Sequence, residues 1–369
     1  MLSFINYHFA FIILTCRFSL PHLSTSKAIS PVRLFLYEFV TGGGFLATPD
    51  EPIATSLLAE GHAMMAALAS DFRALPGVEV TTLVDHRLSA LPWPDVERVK
   101  VESVELNVPL MAQQAARADW TVVIAPETNR ALERVCSLVE GMGGRLLGPS
   151  SELVQLAADK STLCAHLSDA HVPVVDGFSW SGGTSWPEAL HYPVVLKPRD
   201  GAGSQDMRIW REVPPEGQRP AQGSWRIESL HAGTAASVAA ICGTREAMIL
   251  QPCYQHLSDD DRLTYLGGAI MPTAALQQRA IRLAAKAIRS LPLPFGYLGI
   301  DMILGADSDG HDDRVVEINP RLTTSYVGLR RACQQNLASA MLELAAGRHV
   351  ELSWHDRPIE FTAAGEVKL

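Results

Sequence analysis

Cysteine is scarce in this chain. Six residues in 369, at positions 16, 136, 164, 242, 253 and 333, are scattered along the sequence. None forms a CxxC pair or a Cys/His group with zinc spacing, which excludes a zinc ribbon and a dithiol redox centre. The six are read as free thiols in a reducing cytoplasm. An excess of positive charge is also missing. With 31 Lys and Arg against 40 Asp and Glu, the formal net charge is −9, and the basic field of a general nucleic-acid binder is absent. A small anionic ligand held by local lysines stays compatible with that balance. The chain has no membrane-length apolar run near its start. Phe9–Leu14 is far too short to span a bilayer. No Lys or Arg precedes that run, so the usual first part of a signal peptide is missing. Ser24–Ser30 reads as a polar linker. Residues 1–30 are therefore expected to be a disordered extension or the product of a misplaced start, with a signal as the alternative. The triple glycine Gly42–Gly44 lacks both the GxGxxG spacing of a dinucleotide fold and the Lys-Ser/Thr of a P-loop. No internal repeat is evident.

What is present is the composition of a soluble enzyme, 47% hydrophobic and 19% charged. The length suggests two or three domains, since one core rarely grows beyond about 250–300 residues. Strands are expected at Val32–Phe39, Val78–Val84, Trp120–Ala125 and Arg145–Leu147. Helices are expected at Pro52–Ala74, at Leu110–Ala116, and from Asn129 to about Gly141. Alternating strands and helices predict a parallel α/β sheet over 31–148. Ligands of such sheets bind beyond the carboxyl ends of the strands, where Glu38 to Gly44, Asp85 and Glu127 fall.

From Gly148 the pattern changes. Ser150 or Ser151 caps one expected helix that runs through Lys160 toward Leu167. Short strands are expected at Val172–Val175 and Tyr192–Lys197. The second ends in a lysine and leads directly into Pro198-Arg-Asp-Gly201-Ala202-Gly203-Ser204. A small-residue loop after a strand-end lysine suits phosphate, because backbone N–H groups can approach its oxygens while the ammonium supplies a point charge. Further strands are expected at Trp225–Leu230, Ala236–Ile241, Met248–Gln251 and Thr264–Ala269. Helices follow at Ala274–Ile288 and Asn336–Ala346, and the last twenty residues are expected to be a loose tail.

The chemistry concentrates in Val315–Tyr326, VVEINPRLTTSY. Side chains alternate along a strand, so Glu317 and Asn319 share one face and Val316 and Ile318 point to the other. Pro320 stops the ladder and Arg321 follows. Upstream, Gly296–Leu304 reads as a second strand carrying Asp301, joined by a hairpin loop over Ala306–Arg314. Asp301, Glu317 and Asn319 are then expected to face one another across neighbouring strands. Three oxygen donors beside an arginine suit a hard cation, Mg²⁺ or Mn²⁺, bound to phosphate.

The order of these signals resembles the ATP-grasp superfamily over roughly Val32 to Gly347. VVLKPRDGAGSQD and VVEINPRLTTSYVGL are the specific stretches. Thr41–Phe45 and RLTTSYVGL are most similar to the branch of tyramine–glutamate ligases and their bacterial relatives linked to methanofuran-type cofactor synthesis. The resemblance implies a pre-ATP-grasp parallel-sheet domain over 31–148 and two α+β subdomains, 149–224 and 225–350, that clamp ATP, with 351–369 as a tail. It implies that Lys160 and Lys197 contact phosphates, that Gly201, Ala202, Gly203 and Ser204 close over them, and that Glu228, Ser229 and Leu230 hold the adenine edge. Asp301, Glu317 and Asn319 would bind the metal, and Arg321 with Lys197 would meet the transferred phosphoryl group.

Two positions depart from the family pattern. Ala235 stands where an acidic residue commonly binds the ribose, and Gly299 stands where some of these ligases carry an arginine. The expected function is an ATP-dependent carboxylate–amine ligase working through an acyl phosphate, with glutamate as the acid by family analogy. The alternatives are a kinase-like or carboxylating relative, or a nucleotide-binding module without catalysis. ATP, a small carboxylate and an amine are the expected partners, with neither nucleic acid nor membrane, and a homo-oligomer is left open.

Overall fold

The computed structural model describes residues 30–48, 50–201 and 206–368. The expected N-terminal extension therefore lies outside the described residues, as do Ala202, Gly203 and Ser204.

The first part is a parallel sheet. β1 (Val32–Glu38) buries Leu34, Phe35, Leu36 and Tyr37 in succession, as expected of a strand covered on both faces. α1 (Thr55–Arg73) lays Met64, Met65, Leu68 and Phe72 into the core. β2 (Val78–Asp85) follows. β3 (Glu97–Val101), α2 (Val104–Arg117), β4 (Trp120–Ile124) and α3 (Ala131–Gly141) complete the unit. The strand order is β3-β2-β1-β4, with every pairing parallel. β3 escaped the sequence reading because it is an edge strand with Glu97, Arg98 and Lys100 exposed. Charge on an edge is protective and hides the hydrophobic alternation.

The helix expected to run unbroken through Lys160 is two helices, α4 (Ser151–Ala158) and α5 (Lys160–Asp169). Asp159 separates them in extended conformation. Its carboxylate accepts from the backbone N–H of Ser161 and Thr162 at 3.0 and 2.9 Å and so caps α5. Arg199 grips the same carboxylate. Hydrophobic periodicity spans the break, so only the capping residue marks it.

The second sheet is antiparallel, in the order β5-β8-β6-β7, from β5 (Gly177–Ser181), β6 (Val194–Pro198), β7 (Arg208–Trp210) and β8 (Ser224–Ser229). Ser224–Ser229 thus completes this sheet, where the sequence reading set it at the head of the following part. Val172–Val175 is not a full strand; Val174 alone forms a bridge, to Val315.

Gly233 leads into the third sheet. Its φ is +156°, and a Cβ there would stand 2.4 Å from the Leu304 carbonyl oxygen, so only glycine fits. β9 (Thr234–Cys242), β10 (Ala247–Ile249), β11 (Cys253–Leu257), β12 (Tyr265–Ile270), α6 (Ala274–Ser290), β13 (Gly296–Leu304) and β14 (Arg314–Asn319) follow. α6 seats Ala280, Leu283, Ala284, Ala287 and Ile288 in the core that also holds Val238, Ile300 and Val315. α7 (Ser325–Ala332) and α8 (Leu337–Ala345) come next, the second capped by Asn336. The supposed loose tail supplies β15 (Glu360–Thr362) and β16 (Val367–Lys368). β15 pairs with β12, and Phe361 is buried against Gly328. Three residues are too few to show alternation, which is why this strand was missed. The sheet runs β14-β13-β9-β11-β12-β15-β16, with β10 on β9. Among the described residues, no helix is long and apolar enough to cross a membrane, and five cysteines are free and buried.

Candidate active site

All three sheets contribute walls to one cavity of about 860 Å³. The first brings the carboxyl ends of β1 and β4 and the start of α1. The second brings β6 and β8. The third brings β9, β11, β13 and β14.

The acids come together across β13 and β14, where Asp301 stands directly opposite Glu317. Asn319 donates from Nδ2 to one Asp301 oxygen at 3.1 Å, and Gln255 of β11 donates to the other at 3.0 Å. The expected triple is therefore adjacent in space. A bulge between Asp301 and Met302 sets Met302 opposite Val315 and leaves Val316 as the extra residue. Val316 then lines the cavity beside Glu317 while Val315 and Ile318 enter the core. Simple alternation had turned Val316 the other way. Bulges re-aim side chains, and this one sits at the chemistry.

The two carboxyls titrate unlike each other. Burial, and then the Glu317 charge, push the Asp301 carboxyl up to about 8. Burial also acts to raise Glu317, but the Lys160 and Lys197 ammoniums outweigh it and hold that carboxyl below the usual range. An acid pushed up by a neighbouring acid is a site short of positive charge. With only oxygens offered, the shortage suits a hard divalent cation and not a thiolate-seeking metal. The residues present fit Mg²⁺ or Mn²⁺.

Lys160, the first residue of α5, is buried. Its Nζ donates to the Gly201 carbonyl at 2.6 Å and lies 3.4 Å from Glu317. It can hold that position because Asp159 begins a new helix there. Lys197, at the end of β6, lies 2.7 Å from Glu228. Arg226 takes the other Glu228 oxygen at 2.6 Å. Arg226 and Glu228 are two apart on one strand face, a spacing visible in the sequence but not used there. The Glu228 carboxylate is thus spent on two buried cations. Ser229 and Leu230 line the cavity and carry the chain on toward Gly233.

The two departures from the family pattern also have places. Ala235 lines the cavity beside Ser237. At Gly299 a Cβ would meet the Thr323 methyl at 2.5 Å, so Thr323 occupies the space a side chain would need. His231 lines the cavity, and its Nε2 contacts the Asp312 carbonyl at 2.6 Å.

Arg321 is held in place by its neighbours. Its Nε and one terminal nitrogen meet the Glu127 oxygens at 2.9 and 3.1 Å, and it reaches the Asn319 carbonyl oxygen at 3.3 Å. The fork joins the end of β4 to the end of β14. Glu127, flagged by its place after a strand, therefore binds an arginine.

The family profile described as an ATP-grasp domain matches residues 157–325, and that of a pre ATP-grasp domain matches 78–154. The chain belongs to the ATP-grasp superfamily. It has the ATP-grasp fold. Among curated proteins it is similar to the tyramine–L-glutamate ligase of Methanocaldococcus fervens, 24% identical over 334 residues, covering 89% of this chain and 99% of that one. The protein of that name from Methanocaldococcus jannaschii is 23% identical over 338 residues, covering 90% and 96%. Among solved structures, an ATP-grasp superfamily protein from Archaeoglobus fulgidus superposes with a TM-score of 0.67 at 24% identity, over 90% of this chain and 92% of that one. These ATP-grasp likenesses show the fold.

Sequence reasoning missed Gln255 and Glu60 in this cavity, and Arg226 behind Glu228. Gln255 lies on β11, a strand that was not recognised. Glu60 sits on the stripe of α1 formed by Ser56, Leu57, Glu60, Gly61 and Met64, all of which line the cavity. The stripe has helical spacing, but nothing in it marks a site.

Proposed function

We propose that this ATP-grasp protein is a carboxylate–amine ligase that activates a small acid as its acyl phosphate and passes the acyl group to an amine. The observation that carries the reading is the meeting of Asp301, Glu317 and Asn319 with Lys160, Lys197 and the Arg321–Glu127 fork in one cavity. A carboxylate acylates poorly because its oxygen leaves poorly. Phosphorylation by ATP supplies a leaving group, and this needs in-line positioning and charge stabilisation more than a protein nucleophile. Lys160 and Lys197 bring buried positive charge to the phosphates, with Gly201 at the edge of the closing loop. Backbone groups at Ser229 and Leu230 hold the adenine edge, while Glu228 fixes the Lys197 ammonium. Asp301, Glu317 and Asn319 would hold Mg²⁺ or Mn²⁺, which would supply neutralising charge to the phosphates. Arg321, fixed in direction by Glu127, faces the transferred phosphoryl group. Water has to be kept from the activated acid, which it would otherwise hydrolyse.

The two curated relatives named above are tyramine–L-glutamate ligases, and a structure with TM-score 0.66 at 14% identity is an L-amino acid ligase of Bacillus licheniformis, matched over 90% of this chain and 80% of that one. Glutamate is accordingly the first acid to try and tyramine the first amine. The test is ADP release by the purified protein with ATP, Mg²⁺ and an acid, with and without amine. Amine-stimulated release supports the ligase. Release that needs the acid but ignores every amine would favour a kinase-like reading, and no release would leave a nucleotide-binding module.

A further inference from the structure

The end of the cavity nearest the first sheet carries more negative than positive charge. Glu38, Glu60 and Arg321 line it, with Glu127 behind Arg321. Two of the three carboxylates are already satisfied. Glu38 is 2% exposed, and its oxygens accept from the Val40 and Thr41 backbone N–H and the Thr41 hydroxyl. Glu127 holds the Arg321 fork.

Glu60 differs. It is half-buried on α1, and among the described residues its one hydrogen bond is from the Thr324 hydroxyl, with no ion pair. Its charge acts on both Glu38 and Arg321, but the two-pronged donation of Arg321 goes to Glu127. A half-buried carboxylate with one neutral donor retains acceptor capacity. Thr324 is buried, and it lies in the same short segment, 321–325, that carries Arg321. The acceptor oxygen of Glu60 is therefore indexed to the segment that faces the transferred phosphoryl group. A helix stripe, a cavity wall and an unpaired anion coincide at this one side chain.

We propose that Glu60 is the specificity-determining residue for the amine substrate, which it receives as an ammonium ion, with Thr324 fixing the carboxylate's direction. The assignment rests on the ligase reading above. A primary alkylamine is cationic at neutral pH, and a charge-assisted hydrogen bond from its ammonium to Glu60 compensates the acid left without an ion pair among the described residues at this end of the site. The same carboxylate repels a second anion, so the acid substrate is directed toward Arg321 and the lysines. Gly61 also contributes. A Cβ there would stand 2.6 Å from a Glu38 oxygen, so this turn of α1 packs directly on the end of β1 and holds Glu60 at the cavity edge.

The experiment measures thermal unfolding of the full-length protein with ADP and Mg²⁺. Tyramine, 2-phenylethylamine and putrescine are titrated, each against the alcohol of the same skeleton. At least one amine should stabilise the wild type while its alcohol does not. In Glu60→Gln, which keeps the side chain's size, the affinity for that amine should fall about tenfold or more, the value of one charge-assisted hydrogen bond. Thr324→Val removes only the orienting hydroxyl and should weaken binding by a smaller factor, which keeps the test open if the first variant folds poorly. Equal stabilisation of wild type and Glu60→Gln by the same amine would overturn the proposal. So would the absence of any amine-specific stabilisation of the wild type. Amine-stimulated ADP release is scored separately. An amine that binds through Glu60 without stimulating release supports the Glu60 assignment as a binding site and counts against the ligase reading. Release stimulated equally in wild type and Glu60→Gln overturns the Glu60 assignment and leaves the ligase reading standing.

Discussion

Arg321 and Glu127, far apart in sequence, meet as a two-pronged pair at 2.9 and 3.1 Å between the ends of β14 and β4. Both side chains are almost wholly removed from solvent, 11% and 4% exposed. Breaking a buried pair by removing one partner leaves an uncompensated charge and costs about 3–5 kcal/mol. Glu127→Ala should therefore lower the unfolding free energy by an amount in that range, read as a lower urea midpoint. Arg321→Lys keeps the charge but loses the planar fork. It should unfold nearer to wild type while its ADP release falls about tenfold or more, as when a transition-state donor is weakened. Equal unfolding midpoints for wild type and Glu127→Ala would show that the fork holds nothing.

The Lys197–Glu228–Arg226 cluster makes a second prediction. One carboxylate there serves two buried cations. Glu228→Ala should be more destabilising than Lys197→Met, because the first leaves two buried positive charges and the second still leaves Glu228 its Arg226 partner. The difference should be about 1 kcal/mol or more. Chemical unfolding of the two variants side by side decides it, and the reverse order would contradict the pairing.

Metal binding should be linked to protons. Burial and the Glu317 charge raise the Asp301 carboxyl to about 8, so at neutral pH that group holds a proton that a divalent cation must displace. The sign follows directly. Below that value apparent Mg²⁺ affinity should improve as pH rises, by up to about tenfold per pH unit for one displaced proton, and the gain should flatten above it. Calorimetric titration in two buffers of different ionisation heat counts the protons released. No release at neutral pH would mean that Asp301 is already ionised.

The C-terminal strand should matter for stability. Phe361 is 3% exposed and packs against Gly328, where a Cβ would come within 2.2 Å of its ring. Phe361→Ala should cost about 3–5 kcal/mol, read as a lower urea midpoint. A shift of only a few tenths of a kcal/mol would mark the strand as dispensable.

The site was legible where chemistry interrupts a hydrophobic strand. Glu317 and Asn319 break an apolar run two residues apart, and Asp301 stands alone in Gly296–Leu304, so a shared site could be read before the strands were paired. Lys197 declared itself by ending an apolar strand before a glycine-rich loop. The bulge at Val316 was not legible, since alternation alone carries no sign of an extra residue. The break at Asp159 was hidden because the apolar positions of α4 and α5 continue across it. β3, β5, β7, β11 and β15 were missed for a common reason: each is short, and several are charged or polar at the edge of a sheet. The Arg321–Glu127 fork depends on how two sheets are brought together, which no local pattern encodes. Glu60 looked like any acid on an amphipathic helix until the cavity showed which face it occupied.

The acyl phosphate is the centre of the account, and hydroxylamine traps it directly. Wild-type protein with ATP, Mg²⁺, glutamate and hydroxylamine should yield a hydroxamate in step with ADP. Glu317→Gln, which keeps the size of the side chain and removes one metal-binding charge, should fold normally and form both products about a hundred- to a thousandfold more slowly. ADP released in the presence of acid with no hydroxamate at any hydroxylamine concentration would contradict the mechanism, and normal turnover by Glu317→Gln would contradict the metal assignment.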